Sequence, residues 1–111
     1  MIYDVREYTC RPNTLKKQLA LYQQYGFAVQ SRHLGRPLCF LAPDVGPVNT
    51  YLHIWVYADA ADRDRKRAAL AADPDWHAYQ AASAAADNLV SQENRLMTDA
   101  PFMVTDVAKA P

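Results

Sequence analysis

The segment from Asn49 to Ala58 constrains this chain more than any other. Successive side chains of a strand point to opposite faces. Leu52, Ile54 and Val56 therefore share one face, and Tyr51, His53, Trp55 and Tyr57 share the other. Both faces carry bulk, so both need a cover. Helices of the same chain supply one cover. The chain has 111 residues, enough for one domain and not two. The cover for the aromatic face is therefore expected from a second molecule, which makes the protein a homodimer.

The flanking segments supply the rest of a sheet and its helices. Residues 2–10 mix β-branched, aromatic and polar types and stop at Pro12-Asn13, which reads as a strand. Asn13 is placed to cap a helix. Leu15, Leu19, Tyr22, Gly26 and Val29 then form one helical stripe that ends at Gly35 and Pro37. A glycine at position 26 suits a close approach of this helix to the sheet. Leu38 to Leu41 is a short strand, closed by the turn from Pro43 to Pro47.

Asp59 and Asp62 open a second helix in capping-box spacing, running to about Ala72. Asp73-Pro74 starts another, Ala-rich helix that continues to about Ala86. Residues 89–98 read as the last strand. The order β-α-β-β-α-β is the ferredoxin-like pattern of the α+β class. It predicts a four-stranded antiparallel sheet with strands 1 and 3 central, strand 4 beside 1 and strand 2 beside 3. Residues 1–99 form the domain in this reading, and 100–111 a surface tail. Cys10 and Cys39 then lie on strands that do not touch and form no disulfide.

Composition excludes several classes. Twelve basic residues balance twelve acidic ones, without the basic footprint of a nucleic-acid binder. No apolar run is long enough to span a membrane. The first residues lack the apolar core of a signal peptide. Two cysteines are too few for a disulfide framework, so free thiols in a reducing cytoplasm are expected. No His-x-x-x-His or Cys-x-x-Cys spacing points to a metal, and His33 and His77 fall on helices, apart from His53. No serine sits in a nucleophile elbow, and the three glycines do not cluster into a phosphate loop.

Polar residues on strands that should be buried are the candidates for a ligand pocket. His53, between Tyr51 and Trp55, is placed to act as a general base or to ligate haem iron. The alternative is a hydrogen-bonded histidine packed in the dimer interface. Arg6 and Asp4 share one face of a central strand, where a charge must be paired or line a cavity. They either anchor an acidic ligand, form an ion pair between sheets, or mark a place where the strand end is wet. Tyr3 and Tyr8 offer hydroxyls, although such rings commonly pack and bond at their tips. Gln92 and Asn94 on the last strand can orient a polar ligand. Asn49 is equally well explained as a turn residue. The run Arg63 to Arg67 reads as a solvated helix face, with Asp59–Arg63 and Asp62–Lys66 pairs at helical spacing. Trp76 reads as a core plug over the helix junction.

Several pieces together resemble the NIPSNAP family of the dimeric α/β-barrel group. They are Tyr3, Arg6 and Tyr8; Gly46-Pro47 with Asn49; His53 to Tyr57; Arg63 to Arg67 with Leu70; Asp73 to Trp76; Ser91-Gln92, Asn94 and Leu96; and Ala100-Pro101-Phe102. The resemblance implies a ferredoxin-like subunit whose sheet packs face to face on that of a second copy. Animal relatives are associated with mitochondria and with vesicle or mitophagy signalling, as interaction proteins. Those roles are not carried over to this chain. Related dimeric barrels include cofactor-free monooxygenases and haem-handling enzymes that use the cavity between sheet and helices. The expected function is a homodimeric domain binding a small ligand or a protein partner, through His53, Trp55, Arg6, Tyr8, Tyr51 and Gln92. The alternatives are a cofactor-free or haem-linked oxidative enzyme and a structural module. No cofactor is required by the first reading; haem enters only with the second.

Overall fold

A computed structural model describes residues 1–103. In chain order it contains β1 (Ile2–Cys10), α1 (Leu15–Tyr25), α2 (Phe27–Leu34), β2 (Cys39–Leu41), β3 (Thr50–Tyr57), α3 (Ala60–Ala71), α4 (Pro74–Ala86) and β4 (Leu89–Met97). The sheet order is β2-β3-β1-β4 and every pairing is antiparallel. This is the expected ferredoxin-like topology, with each helical segment made of two helices. Cys10 and Cys39 are free. Of the expected tail at 100–111, residues 104–111 lie outside the described part.

Local chemistry explains most of the element ends. The Asp59 carboxylate accepts from the Asp62 N–H at 2.8 Å, and Asp62 accepts in turn from the Ala58 N–H at 2.9 Å. Two otherwise unpaired donors at the start of α3 are satisfied this way. Asp73 caps α4 ahead of Pro74, and its other oxygen holds His33 and Arg32 of α2 at 2.7 Å each. At α1 the expected cap is corrected. Asn13 sits in the left-handed region at φ 67°, and Thr14 is the residue before the helix.

The single helix expected up to Gly35 divides at Gly26. Added there, a Cβ would lie 2.8 Å from Cδ1 of Tyr22 and 3.0 Å from Cδ1 of Tyr79. The close approach is thus to aromatic rings and not to the sheet. The break lets α1 pack on α4 and α2 on α3.

The register also corrects which face of β3 meets the helices. Tyr51, His53, Trp55 and Tyr57 are buried within this one chain, and Trp55 and Tyr57 join Val29, Leu34 and Leu70 in the core. Leu52, Ile54 and Val56 are the half-buried residues. The aromatic face is therefore covered by the chain's own helices, and the aliphatic face is the open one. Volume explains the exchange. The helices carry many alanines, α4 above all, and bring little bulk to the core. Large rings from the sheet fill the space instead.

Candidate ligand cavity

The cross-strand pairs Arg6 with His53 and Tyr8 with Tyr51 put four polar or aromatic side chains side by side on the helix-facing surface. Tyr8 also pairs with Gln92 on β4. Above them, α4 presents Trp76, Tyr79, Gln80, Ser83 and Ala84 at helical spacing. Ser83 and Ala84 are short, so the helix and sheet do not close on each other. They enclose a cavity of about 410 Å³. Tyr22, Gln30 and Arg67 complete its walls, while Leu89, Asp87 and Gln92 stand at its β4 end.

His53 is 3% exposed and sits in a rack of rings. Phe40 stacks on it at 4.6 Å and 6°, and Tyr8 at 5.2 Å and 5°. The Trp55 indole N–H donates to His53 Nδ1 at 2.5 Å. An indole nitrogen is only a donor, so Nδ1 must be the bare nitrogen and Nε2 carries the proton of the neutral ring. Burial, reinforced by Arg6 and Arg67, pushes the His53 pKa down to about 3. At neutral pH the ring is an uncharged donor through Nε2–H, which finds no acceptor among the described residues.

This geometry does not suit two of the roles expected of His53. A base with a pKa of about 3 is too weak to hold a proton near neutrality. A haem ligand needs a bare Nε2 with the proton on Nδ1, where the Trp55 N–H already points. His53 therefore does not fit haem.

Asp4 and the arginines form the second part of the site. Asp4 is 0% exposed. Its Oδ2 accepts from Arg6 Nη1 and Arg63 Nε at 3.3 Å each, and Arg67 Nη1 stands 4.0 Å away. One carboxylate thus faces three guanidinium groups. Arg6 also donates through Nε to the Tyr8 oxygen at 3.2 Å. The Asn94 amide, turned so that its oxygen faces Arg6, accepts from both Nη atoms at 3.1 and 3.3 Å. For Arg6, burial works against the charge, but Tyr8 and Asp4 outweigh it and raise the pKa. Asp4 Oδ1, Tyr57 Oη and Arg67 Nη1 are buried with no hydrogen-bond partner among the described residues.

The arginine run is accordingly not a solvated face throughout. Arg63 and Arg67 turn inward, with side chains only 24% and 27% exposed. The buried Asp4 carboxylate draws Arg63 away from the expected contact with Asp59, which caps α3 instead. Lys66 keeps its expected pair with Asp62 at 3.1 Å.

Buried polar contacts fix the remaining walls. Tyr22 donates to Gln30 Oε1 at 2.5 Å, and Gln18 donates to the Tyr79 oxygen at 3.1 Å. Asn88 donates to Gln18 Oε1 at 3.3 Å. Burial raises the pKa of Tyr22 and of Tyr51 well above the usual phenol range, so both remain protonated donors.

Of the pocket residues read from the sequence, His53, Arg6, Tyr8, Tyr51 and Gln92 line the cavity. Trp55 does not. It lies beneath the floor and fixes the His53 ring. Tyr22, Gln30, Arg67, Trp76, Tyr79 and Ser83 were missed. The spacing of Trp76, Tyr79, Gln80 and Ser83 was the available signal, obscured by the alanines between them. His33 and His77 lie elsewhere, bonded to Asp73 and to the Ala71 carbonyl.

Comparison with known proteins agrees with the topology. The family model for NIPSNAP matches residues 3–103. A Dictyostelium discoideum protein called "Protein NipSnap homolog" is 31% identical over 94 residues, which is 85% of this chain and 40% of that protein. The chain thus spans less than half the length of that relative. A NIPSNAP domain protein from Burkholderia xenovorans superposes with a TM-score of 0.85 at 27% identity, over 95% of this chain and all of the other. SnoaB, a cofactor-independent oxygenase from Streptomyces nogalater, shares the fold alone. Its TM-score is 0.62 at 21% identity, over 88% of this chain and 91% of SnoaB.

Proposed function

The chain belongs to the NIPSNAP family, by a match over residues 3–103, and we propose that it is a cytoplasmic homodimeric domain binding a small ligand in the cavity beside His53. The carrying observation is the cavity itself. At about 410 Å³ it falls within the range of small-molecule sites, about 300–1,000 Å³. Rigid rings line it, with a few fixed polar groups among them. Trp55 holds the His53 donor and Asp4 holds the Arg6 charge, while the Arg67 charge stands 4.0 Å from the same carboxylate. Such fixed groups orient a ligand without first having to be ordered.

The dimer is proposed through the open sheet face. Leu52, Ile54 and Val56 lie half-buried there, with Leu41 and Met97 exposed at its borders and Tyr3 and Val5 beside them already buried. Apolar surface of that kind is covered in a stable assembly. Light scattering and native mass spectrometry on the purified protein test both parts. A dimer carrying extra small-molecule mass is the expected result. An unloaded dimer that binds none of a broad metabolite panel would turn the reading towards a protein partner.

Cofactor-free oxidation of the bound ligand is a second reading, favoured by the fold shared with SnoaB. Here His53 would serve as a donor to a developing oxyanion through Nε2–H, since its lowered pKa and the Trp55 N–H on Nδ1 make it a poor base. Oxygen uptake above the buffer rate on adding phenolic compounds is the expected sign. No uptake across such a panel removes this reading and leaves ligand binding untouched.

A further inference from the structure

We infer that the cavity takes an aromatic ligand with a negatively charged oxygen, an aryl carboxylate or a phenolate, seated on Tyr8, His53 and Arg67. The inference rests on the ligand-binding reading above and names the class of ligand.

The first argument is the state of each polar atom at the deep end. His53 Nδ1 is occupied by Trp55, which leaves Nε2–H as a donor. The Tyr8 oxygen accepts from Arg6, and its own proton has no acceptor among the described residues. Arg67 lines the cavity and brings its charge there, while its buried Nη1 faces Asp4 Oδ2 at 4.0 Å. Of the nearby acceptors, the unpaired Asp4 Oδ1 is fully buried on a residue that does not line the cavity. Asp4 Oδ2 serves Arg6 and Arg63, and Gln30 Oε1 serves Tyr22. A ligand that brings its own donor finds no ready acceptor at that end, whereas an oxyanion meets donors already in place.

The second argument is charge. Arg6, Arg63 and Arg67 surround the single Asp4 carboxylate, and Arg6 and Arg67 also face the cavity. Asp87, the acidic group at the β4 end, is held by Arg11 on the outside at 3.3 Å. The enclosed part of the site therefore keeps a positive excess that an anion would balance.

The third argument is shape. Tyr8, Tyr51 and His53 stand nearly parallel, with 8° between the two tyrosine rings and 5° between Tyr8 and His53. Trp76 and Tyr79 contact each other at 4.9 Å on the opposite wall. A space between aromatic walls favours another ring, which gains stacking and edge contacts beyond its buried area.

The test is calorimetric titration of the folded protein at about neutral pH with three ligands of one shape: a naphthoate, its uncharged carboxamide and the matching ammonium. The naphthoate is expected to bind at least tenfold more tightly than the carboxamide, and the ammonium most weakly. In Arg67→Met this preference should fall to less than threefold, with circular dichroism showing that the fold is kept. If that variant does not fold, Tyr8→Phe replaces it and should lower naphthoate affinity while leaving carboxamide affinity unchanged. Dinitrophenolate, ionised at the same pH, separates the two oxyanion sources by its affinity relative to naphthoate. A carboxamide that binds as tightly as the naphthoate overturns the anion inference and leaves the ligand-binding reading standing. Failure of every probe to bind at millimolar concentration overturns both.

Discussion

Removing the Asp4 charge is the sharpest test of how the site is held together. Asp4→Asn keeps the shape of the side chain and deletes the carboxylate that faces three guanidinium groups. Breaking a buried ion pair by removing one partner costs about 3–5 kcal/mol. Arg63 and Arg67 are each about a quarter exposed and can turn towards water. Arg6 is buried and keeps its bonds to Tyr8 and Asn94. The expected loss therefore lies near the lower end, ~3 kcal/mol. That is a large share of the ~5–15 kcal/mol that holds a small domain together. With a urea slope of ~1–3 kcal/mol/M, the midpoint should fall by ~1–3 M. Urea unfolding followed by circular dichroism, at one protomer concentration, measures it. Arg63→Gln is the control, with an expected loss below ~1 kcal/mol because its partner keeps Arg6. An Asp4→Asn loss below ~1 kcal/mol, at an unchanged slope, would refute the view that Asp4 anchors a buried cationic cluster. The same substitution should tighten naphthoate binding, since it removes the anion that competes for the arginines.

Three further outcomes are expected. Gly26→Ala should destabilise despite the ~1 kcal/mol gain in helix propensity, because the new Cβ would press on the rings of Tyr22 and Tyr79; overpacking costs ~1–3 kcal/mol, and a higher melting temperature would contradict this. The His53 imidazole should stay neutral, with its proton on Nε2, from about pH 8 to about pH 5 in nitrogen NMR. Its folded pKa of about 3 lies below the ordinary ~6.5, so its contribution to stability is complete above ~6.5 and is lost as pH falls towards the folded value; a midpoint near ~6.5 would show that the ring is not held as described. Finally, Ile54→Glu on the open face should give a folded monomer by light scattering, whereas Tyr57→Glu should unfold the chain; a persistent Ile54→Glu dimer would place the interface elsewhere.

What the sequence revealed was mostly what local chemistry decides. Asp59 with Asp62, and Asp73 with Pro74, mark helix starts because capping involves neighbours a few residues apart. Alternation in β3 identified the strand and the sharing of faces by Tyr51, His53, Trp55 and Tyr57. It did not identify which face is the core, since both faces carry large side chains. That choice depends on how much volume the helices bring, and the alanines of α4 were the clue. The inward turn of Arg63 and Arg67 is hidden in the sequence for a related reason. Helical spacing offered Arg63 to Asp59, but a buried carboxylate 59 positions away on β1 exerts the stronger demand. Long-range needs of this kind appear in a sequence only once the partners are known to face each other. The same limit explains why Tyr22 and Tyr79 were overlooked while His53 and Arg6 were found. The first two look like ordinary helix residues until α1 lies on α4 and the sheet beneath is seen to be polar.

The alanines of α4 link stability to function. A bulkier helix would fill the space above His53 and Tyr8, and the aromatic face could then pack as an ordinary core. With Ser83 and Ala84 at the contact, that space stays open, and the rings below must be fixed by hydrogen bonds instead. Trp55 fixes His53, Arg6 fixes Tyr8, and Asp4 fixes Arg6. This chain of bonds leaves costly features behind: a buried carboxylate oxygen, a buried tyrosine hydroxyl and an arginine nitrogen 4.0 Å from Asp4, none making a hydrogen bond of normal geometry among the described residues. A chain selected only for stability could replace the cluster with apolar side chains of similar volume at no loss. Asp4 and Tyr57 both lie beside one arginine, Arg67, which also faces the cavity. Polar groups kept at such a cost beneath an open space are better explained by the need to hold Arg6, Tyr8 and His53 in place for a ligand than by stability alone.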